Sequence, residues 1–175
     1  MNKLIAPTND EAVELKTPES GNLNTGDAAP QPQSQSINPA FITLLGEITF
    51  LALQSPLHRR YALRSLDARF VVPVRLDQYR MYRVKAGPLA VATWAYVSDE
   101  MDARLREGDH ALSPDDWQSG DNLWIMELII PFGRTDEVIE DLRRTVLKGR
   151  DATYRAYAAT TGESEIKVLK AEADD

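Results

Sequence analysis

The spacing of apolar residues changes along the chain from helical to strand-like and back, and these changes indicate where helices and strands begin and end. In residues 41–53 they recur every three or four positions, which predicts an amphipathic helix. The apolar positions of this helix are Phe41, Leu44, Leu45, Ile48 and Leu51. Asn38 is a suitable N-cap residue and Pro39 fits the first helical position. Proline disfavours a helical residue before it, so Ser55-Pro56 is expected to end the helix.

Later runs alternate between β-branched or aromatic segments and amphipathic ones. Strands are predicted over residues 70–74, 78–84, 89–97 and 123–130, and a terminal hairpin over 153–159 and 165–169, turning at 160–163. Helices are predicted over roughly residues 59–67, 99–107 and 136–148. This order predicts one α/β (α+β) domain whose mixed, mainly antiparallel sheet is flanked by helices.

The first 37 residues differ in composition from the rest of the chain. They contain no aromatic residue and are rich in Pro, Gln, Asn, Ser, Thr and Gly. Such a segment cannot bury enough apolar surface to offset its ordering entropy. We therefore expect a disordered polar tail over residues 1–37 and a folded domain over residues 38–175.

Composition narrows the possible functions. The absence of cysteine excludes a thiolate nucleophile, and the two histidines have no metal-like spacing, so no metal site is predicted. The net charge of −7 argues against non-specific nucleic-acid binding. No apolar run is long enough to span a bilayer, and the N-terminus lacks the apolar core of a signal peptide, so a cytoplasmic protein is expected.

One segment is basic although the chain as a whole is acidic. Residues 56–85 contain eight basic and two acidic residues, and Arg59 and Arg60 directly follow His58. A basic face beside His58 suits an acidic partner or a phosphate, although scattered arginines are also common on a solvated surface.

His58 and Asp121 form the candidate catalytic pair. His58 follows the first predicted helix at a bend, and Asp121 follows Ser119-Gly120 just before the most apolar predicted strand. A base and a carboxylate on separate elements are what a His–Asp pair requires. From the residues alone, both positions are more often structural. A Ser-His-Asp hydrolase is disfavoured because the chain has no Gly-x-Ser-x-Gly elbow.

A set of short motifs occurs in one order and spacing. The motifs are Ser55-Pro56-Leu57-His58-Arg59, Gln78-Tyr79, Pro88, Trp94-Ala95, Trp117, Ser119-Gly120-Asp121, Trp124-Ile125 and Pro131-Phe132-Gly133. With this set, residues 41–169 resemble the toxin-activating lysine acyltransferases, the HlyC-like proteins that activate RTX protoxins.

The resemblance implies a GNAT-like fold, cytoplasmic location and a homodimer. It implies transfer of a fatty acyl chain from acyl-acyl carrier protein, with no bound cofactor, to internal lysine ε-amines of an RTX protoxin. The functional histidine of the family falls on His58 and its aspartate is assigned to Asp121. We expect His58 to act as general base or transient acyl carrier, Asp121 to orient its imidazole, and Arg59 and Arg60 to dock acyl carrier protein.

The chain departs from the family pattern at several positions. Glu127 and Leu128 stand where the family commonly has aspartate and tryptophan, and Ile130 replaces an alanine. Arg69 stands where an asparagine is frequent. Two alternatives stay open, a CoA-dependent GNAT-type N-acetyltransferase and a non-enzymatic relative that binds a toxin. The pyrophosphate-binding glycine loop typical of GNAT enzymes is missing before the last predicted helix.

Overall fold

The computed structural model describes residues 38–109, 111–157 and 163–171. The predicted tail, His110 and most of the predicted hairpin turn lie outside these residues. Five strands form one sheet in the order β1-β2-β3-β4-β5. Their bounds are Tyr79–Val84, Gly87–Val97, Asn122–Ile129, Ala152–Tyr157 and Ser164–Leu169. Only the β3–β4 pair is parallel among these strands, which confirms the prediction of a mixed, mainly antiparallel, GNAT-like α+β fold.

Helices cover both faces of this sheet. The α-helices are α1 (Pro39–Gln54), α2 (Val72–Arg75), α3 (Asp99–Glu107) and α4 (Thr135–Leu142). The shorter helical turns are His58–Arg60, Asp67–Val71, Pro114–Trp117 and Arg143–Leu147.

The first helix begins and packs as its sequence predicts. The Asn38 side chain accepts hydrogen bonds from the main-chain N–H groups of Ala40 and Phe41. The apolar face of α1 buries Leu44, Ile48 and Leu51 in one cluster with Phe70, Val91 and Ile129. This packing fixes the C-terminal end of α1, and therefore the position of His58, over the middle of the sheet.

The predicted strand over residues 70–74 is wrong. These residues form the end of the π-helical turn Asp67–Val71 and the start of α2. A short apolar run fits a buried strand and a buried helix equally well. Pro73 lies in the first turn of α2, where its missing N–H group is not needed.

The Ser119-Gly120-Asp121 turn precedes β3 and packs against Val97 and Ser98, at the N-terminal end of α3. Ser119 Oγ accepts a hydrogen bond from the Ser98 N–H and donates one to the Asp116 carbonyl oxygen. A Cβ atom at Gly120 would lie 2.6 Å from the Val97 carbonyl oxygen, so only glycine fits there. This motif therefore has a structural explanation.

No helix among the described residues is both long and apolar enough to cross a membrane.

Candidate active site

His58 lies where α1 ends and the chain turns back toward the sheet. Ser55 caps the C-terminal end of α1, and the Arg59 N–H donates to its carbonyl oxygen. The turn His58–Arg60 is closed by the Tyr61 N–H, which donates to the His58 carbonyl oxygen. The imidazole is buried, with 8% of the residue exposed. Its ring meets that of Tyr61 edge-on at 5.4 Å between centroids. Helix packing and this turn thus hold the histidine in one position.

Both ring nitrogens of His58 have partners. The distance from Nδ1 to Ser55 Oγ is 2.6 Å, and from Nε2 to Glu127 Oε2 it is 3.2 Å. An ionised carboxylate can only accept, so in the neutral ring Nε2 donates to Glu127 and Nδ1 accepts from the Ser55 hydroxyl. After protonation, the imidazolium would have an oxygen acceptor on each side.

Glu127 faces His58 because of a β-bulge. Trp94 pairs with Ile125 and Thr93 pairs with Glu127, which leaves Met126 as an extra residue on β3. An extra residue shifts the following side chains to the other face of a strand. Ile125 accordingly packs in the cluster with α4, whereas Ile129 packs in the cluster with α1. Glu127 lies on this second face, beside His58.

The structure does not bring Asp121 to His58, so the predicted pairing is wrong. Asp121 is exposed in the turn before β3, six residues ahead of Glu127. Six extended residues span about 20 Å. The β-bulge turns Glu127, in the middle of β3, toward His58, so the carboxylate that contacts the imidazole is that of Glu127. The sequence does contain a signal for Glu127, which is the one acidic residue of β3 and lies among apolar residues.

A cleft opens next to this pair. The parallel strands β3 and β4 are paired at Trp124–Thr153 and Ile125–Tyr154, and beyond these positions they diverge. The space between them is about 250 Å³ and is open to solvent. Its lining includes His58, Glu127, Leu128 and Tyr157. Divergence leaves main-chain groups of β3 facing the cleft rather than a neighbouring strand.

Two further side chains contact Glu127. The Tyr61 hydroxyl donates to Oε2 over 3.1 Å, and Arg69 Nη1 lies 2.5 Å from Oε1. Burial and the charge of Glu127 raise the pKa of the Tyr61 phenol above its usual value, so Tyr61 stays protonated and can donate. Burial opposes the charged form of Arg69, but the charge of Glu127 and its hydrogen bond to the guanidinium together outweigh burial and raise the pKa of Arg69.

Arg59 and Arg60 share the His58 turn and are both exposed. Neither side chain forms an ion pair with a described residue. Two exposed cations without an ion-pair partner among the described residues therefore follow His58 directly in the chain. Within the described ranges, no group of three or more His, Asp or Glu side chains is arranged to hold a metal ion.

Comparison with known proteins identifies the class. A model of the RTX toxin acyltransferase family matches residues 37–172. The chain is 39% identical over 115 residues to the lysine-acyltransferase RtxC of Vibrio cholerae, covering 62% of this chain and 75% of the relative. It is 32% identical over 142 residues to the protein-lysine palmitoyltransferase CyaC of Bordetella bronchiseptica, covering 79% and 76%.

A third relative is the leukotoxin-activating lysine-acyltransferase LktC of a Pasteurella haemolytica-like species. It is 36% identical over 106 residues, which cover 61% of this chain and 64% of the relative. The chain belongs to the RTX toxin acyltransferase family, which confirms the resemblance seen in its motifs. It is an acyltransferase, so the non-enzymatic alternative is not supported.

Proposed function

We propose that this protein transfers a fatty acyl group from acyl-acyl carrier protein to lysine ε-amines of an RTX protoxin in the cytoplasm and thereby activates it. The observation that carries the proposal is the buried His58–Glu127 pair at a cleft opened by the divergence of β3 and β4. Relatives named as lysine acyltransferases and a leukotoxin activator support the same substrate class.

His58 is the general base in this proposal. Nε2 already carries the hydrogen that is donated to Glu127, so the accepting nitrogen is Nδ1. As the neutral lysine amine attacks the thioester carbonyl carbon, it gives a proton to Ser55 Oγ while the Ser55 hydroxyl gives its own proton to Nδ1. Glu127 on Nε2 and the Ser55 oxygen on Nδ1 stabilise the resulting imidazolium. When the tetrahedral intermediate collapses, the C–S bond breaks and the imidazolium returns its proton to the thiolate. The products are an amide and the free thiol of the carrier.

Main-chain donors of β3 supply the oxyanion site in this scheme. Past Ile125 the strand is no longer paired with β4, and its cleft-facing N–H groups are available to the substrate. Donors held in a strand need no reorganisation when negative charge develops on the carbonyl oxygen.

Arg59 and Arg60 dock the acyl carrier protein, an acidic partner. Replacing both with Glu is expected to raise KM for the acylated carrier at low salt and leave kcat nearly unchanged. Arg75→Glu, at an exposed cation on α2, is the control for reversing one charge and is compared with Arg59→Glu and Arg60→Glu made singly. An unchanged KM in the double variant would remove the docking role.

Donor identity decides between the proposal and a CoA-dependent acetyltransferase. Purified chain is incubated with an RTX protoxin and either acyl-acyl carrier protein or acetyl-CoA, and the protoxin is examined by intact-mass spectrometry. The proposal predicts a fatty acyl mass gain with the first donor only. An acetyl mass gain with the second would favour the alternative.

The proposed active species is a homodimer, supported by an apolar face on α1. Ile42, Phe50 and Leu53 are 55%, 45% and 54% exposed, and Phe50 lies 6.1 Å from the ring of Phe132. Gly46 on the same face has open space around it, which permits close approach of a partner. Light scattering should report a dimer that Phe50→Asp converts to a monomer, whereas monomeric wild type would contradict the proposal.

A further inference from the structure

We infer that Arg69 is a positioning residue that keeps His58 available as a base by balancing the charge of Glu127; this rests on the proposed function. Arg69 Nη1 contacts Glu127 Oε1, the oxygen that His58 does not use. Its guanidinium also stacks on the Tyr61 ring at 4.4 Å, and Tyr61 donates to the other carboxylate oxygen. The arginine is therefore fixed by two partners that both touch the site.

The arginine is needed because of the burial of the pair. Glu127 is 5% exposed and His58 is 8% exposed. An ionised carboxylate beside a buried imidazole favours the imidazolium, and a histidine that already holds the proton cannot accept one from lysine. Arg69 adds a permanent positive charge next to the same carboxylate, so a neutral imidazole leaves the cluster without net charge.

The other titratable groups around the pair do not replace this charge. Tyr61 faces it from the segment after the His58 turn, and Tyr154 and Tyr157 face the cleft from β4. Arg155 also lines the cleft, but its guanidinium donates to the carbonyl oxygens at the end of α3 and to Ser164. Among the described residues, Arg69 is the cation in direct contact with Glu127.

The test is the pH dependence of kcat/KM for lysine acylation in Arg69→Gln, with Arg75→Gln as the charge-matched control. The uncharged side chain should move the acid limb of the pH profile to higher pH by about one to two units. The reason is that the positive charge of Arg69, which disfavours protonation of His58, is then missing. Arg69→Lys keeps the charge and should move the limb by less than the glutamine variant. The control should match the wild type.

A second measurement requires no activity. The ring signals of His58, followed by NMR against pH, should titrate at higher pH in Arg69→Gln than in the wild type. A uniform loss of rate with unmoved limb and unmoved NMR midpoint would overturn the inference and show a structural role only. Full activity of His58→Ala would instead contradict the proposed function, so the two failures are distinguishable.

Discussion

The change Glu127→Gln removes the charge that stabilises protonated His58 and keeps the shape of the side chain. With Nε2 and Oε2 3.2 Å apart, the charge centres of ring and carboxylate are separated by about 4 Å, where two unit charges attract by about 4 kcal/mol at an effective dielectric constant of 20. Arg69 and Tyr61 share the same carboxylate. About half of that energy, ~2 kcal/mol, is therefore available to the transition state, which corresponds to a loss of about 30-fold in kcat/KM.

The assay is steady-state acylation of an RTX protoxin at neutral pH, read by mass spectrometry, with the melting temperature as a check on folding. Asp121→Asn is the matched control, because Asp121 is exposed in the turn before β3, six residues ahead of Glu127. It should retain activity within about twofold. If Asp121→Asn lost as much activity as Glu127→Gln, or if Glu127→Gln were fully active, the assignment of Glu127 would be refuted.

Three other substitutions test the turn before β3, the exposed face of α1 and the hydrogen bonding of Glu127. Gly120→Ala places a Cβ 2.6 Å from the Val97 carbonyl oxygen and should lower the free energy of unfolding in urea by about 2 kcal/mol. Gly46→Ala should raise it by about 0.5–1 kcal/mol when made in the Phe50→Asp variant, where the proposed dimer face of α1 is unoccupied and the new Cβ meets open space. Equal effects of the two alanine substitutions would show that Gly120 is not closely approached. Tyr61→Phe removes one donor to Glu127 and should lower kcat by about 3- to 10-fold with little change in KM, and an unchanged kcat would show that this hydrogen bond is not used.

The sequence predicts most of the helices and strands. The helix over residues 99–107 coincides with α3, since Ser98 caps it and acidic residues occupy its first turn. The strand boundaries were also close, because β-branched and aromatic runs are bounded by turn residues. Residues 70–74 were misassigned because an apolar run of that length has no period that separates helix from strand.

For the active site, the sequence predicts the histidine but not its acidic partner. His58 follows directly from the end of α1 at Ser55-Pro56, but its acidic partner depends on one extra residue in β3. Strict alternation would place Glu127 on the face of Ile125, and a bulge cannot be read from spacing alone. Arg69 and Glu127 were two separate departures from the family pattern, and the structure shows that they contact each other.

The central claim is that His58 is the base that deprotonates the attacking lysine. The most direct measurement is the single-turnover rate of protoxin acylation by His58→Ala, with and without added imidazole. We expect that the substitution abolishes the reaction and that imidazole, entering the space beside Glu127, restores part of it. A His58→Ala variant that acylates lysine at the wild-type rate without imidazole would contradict it.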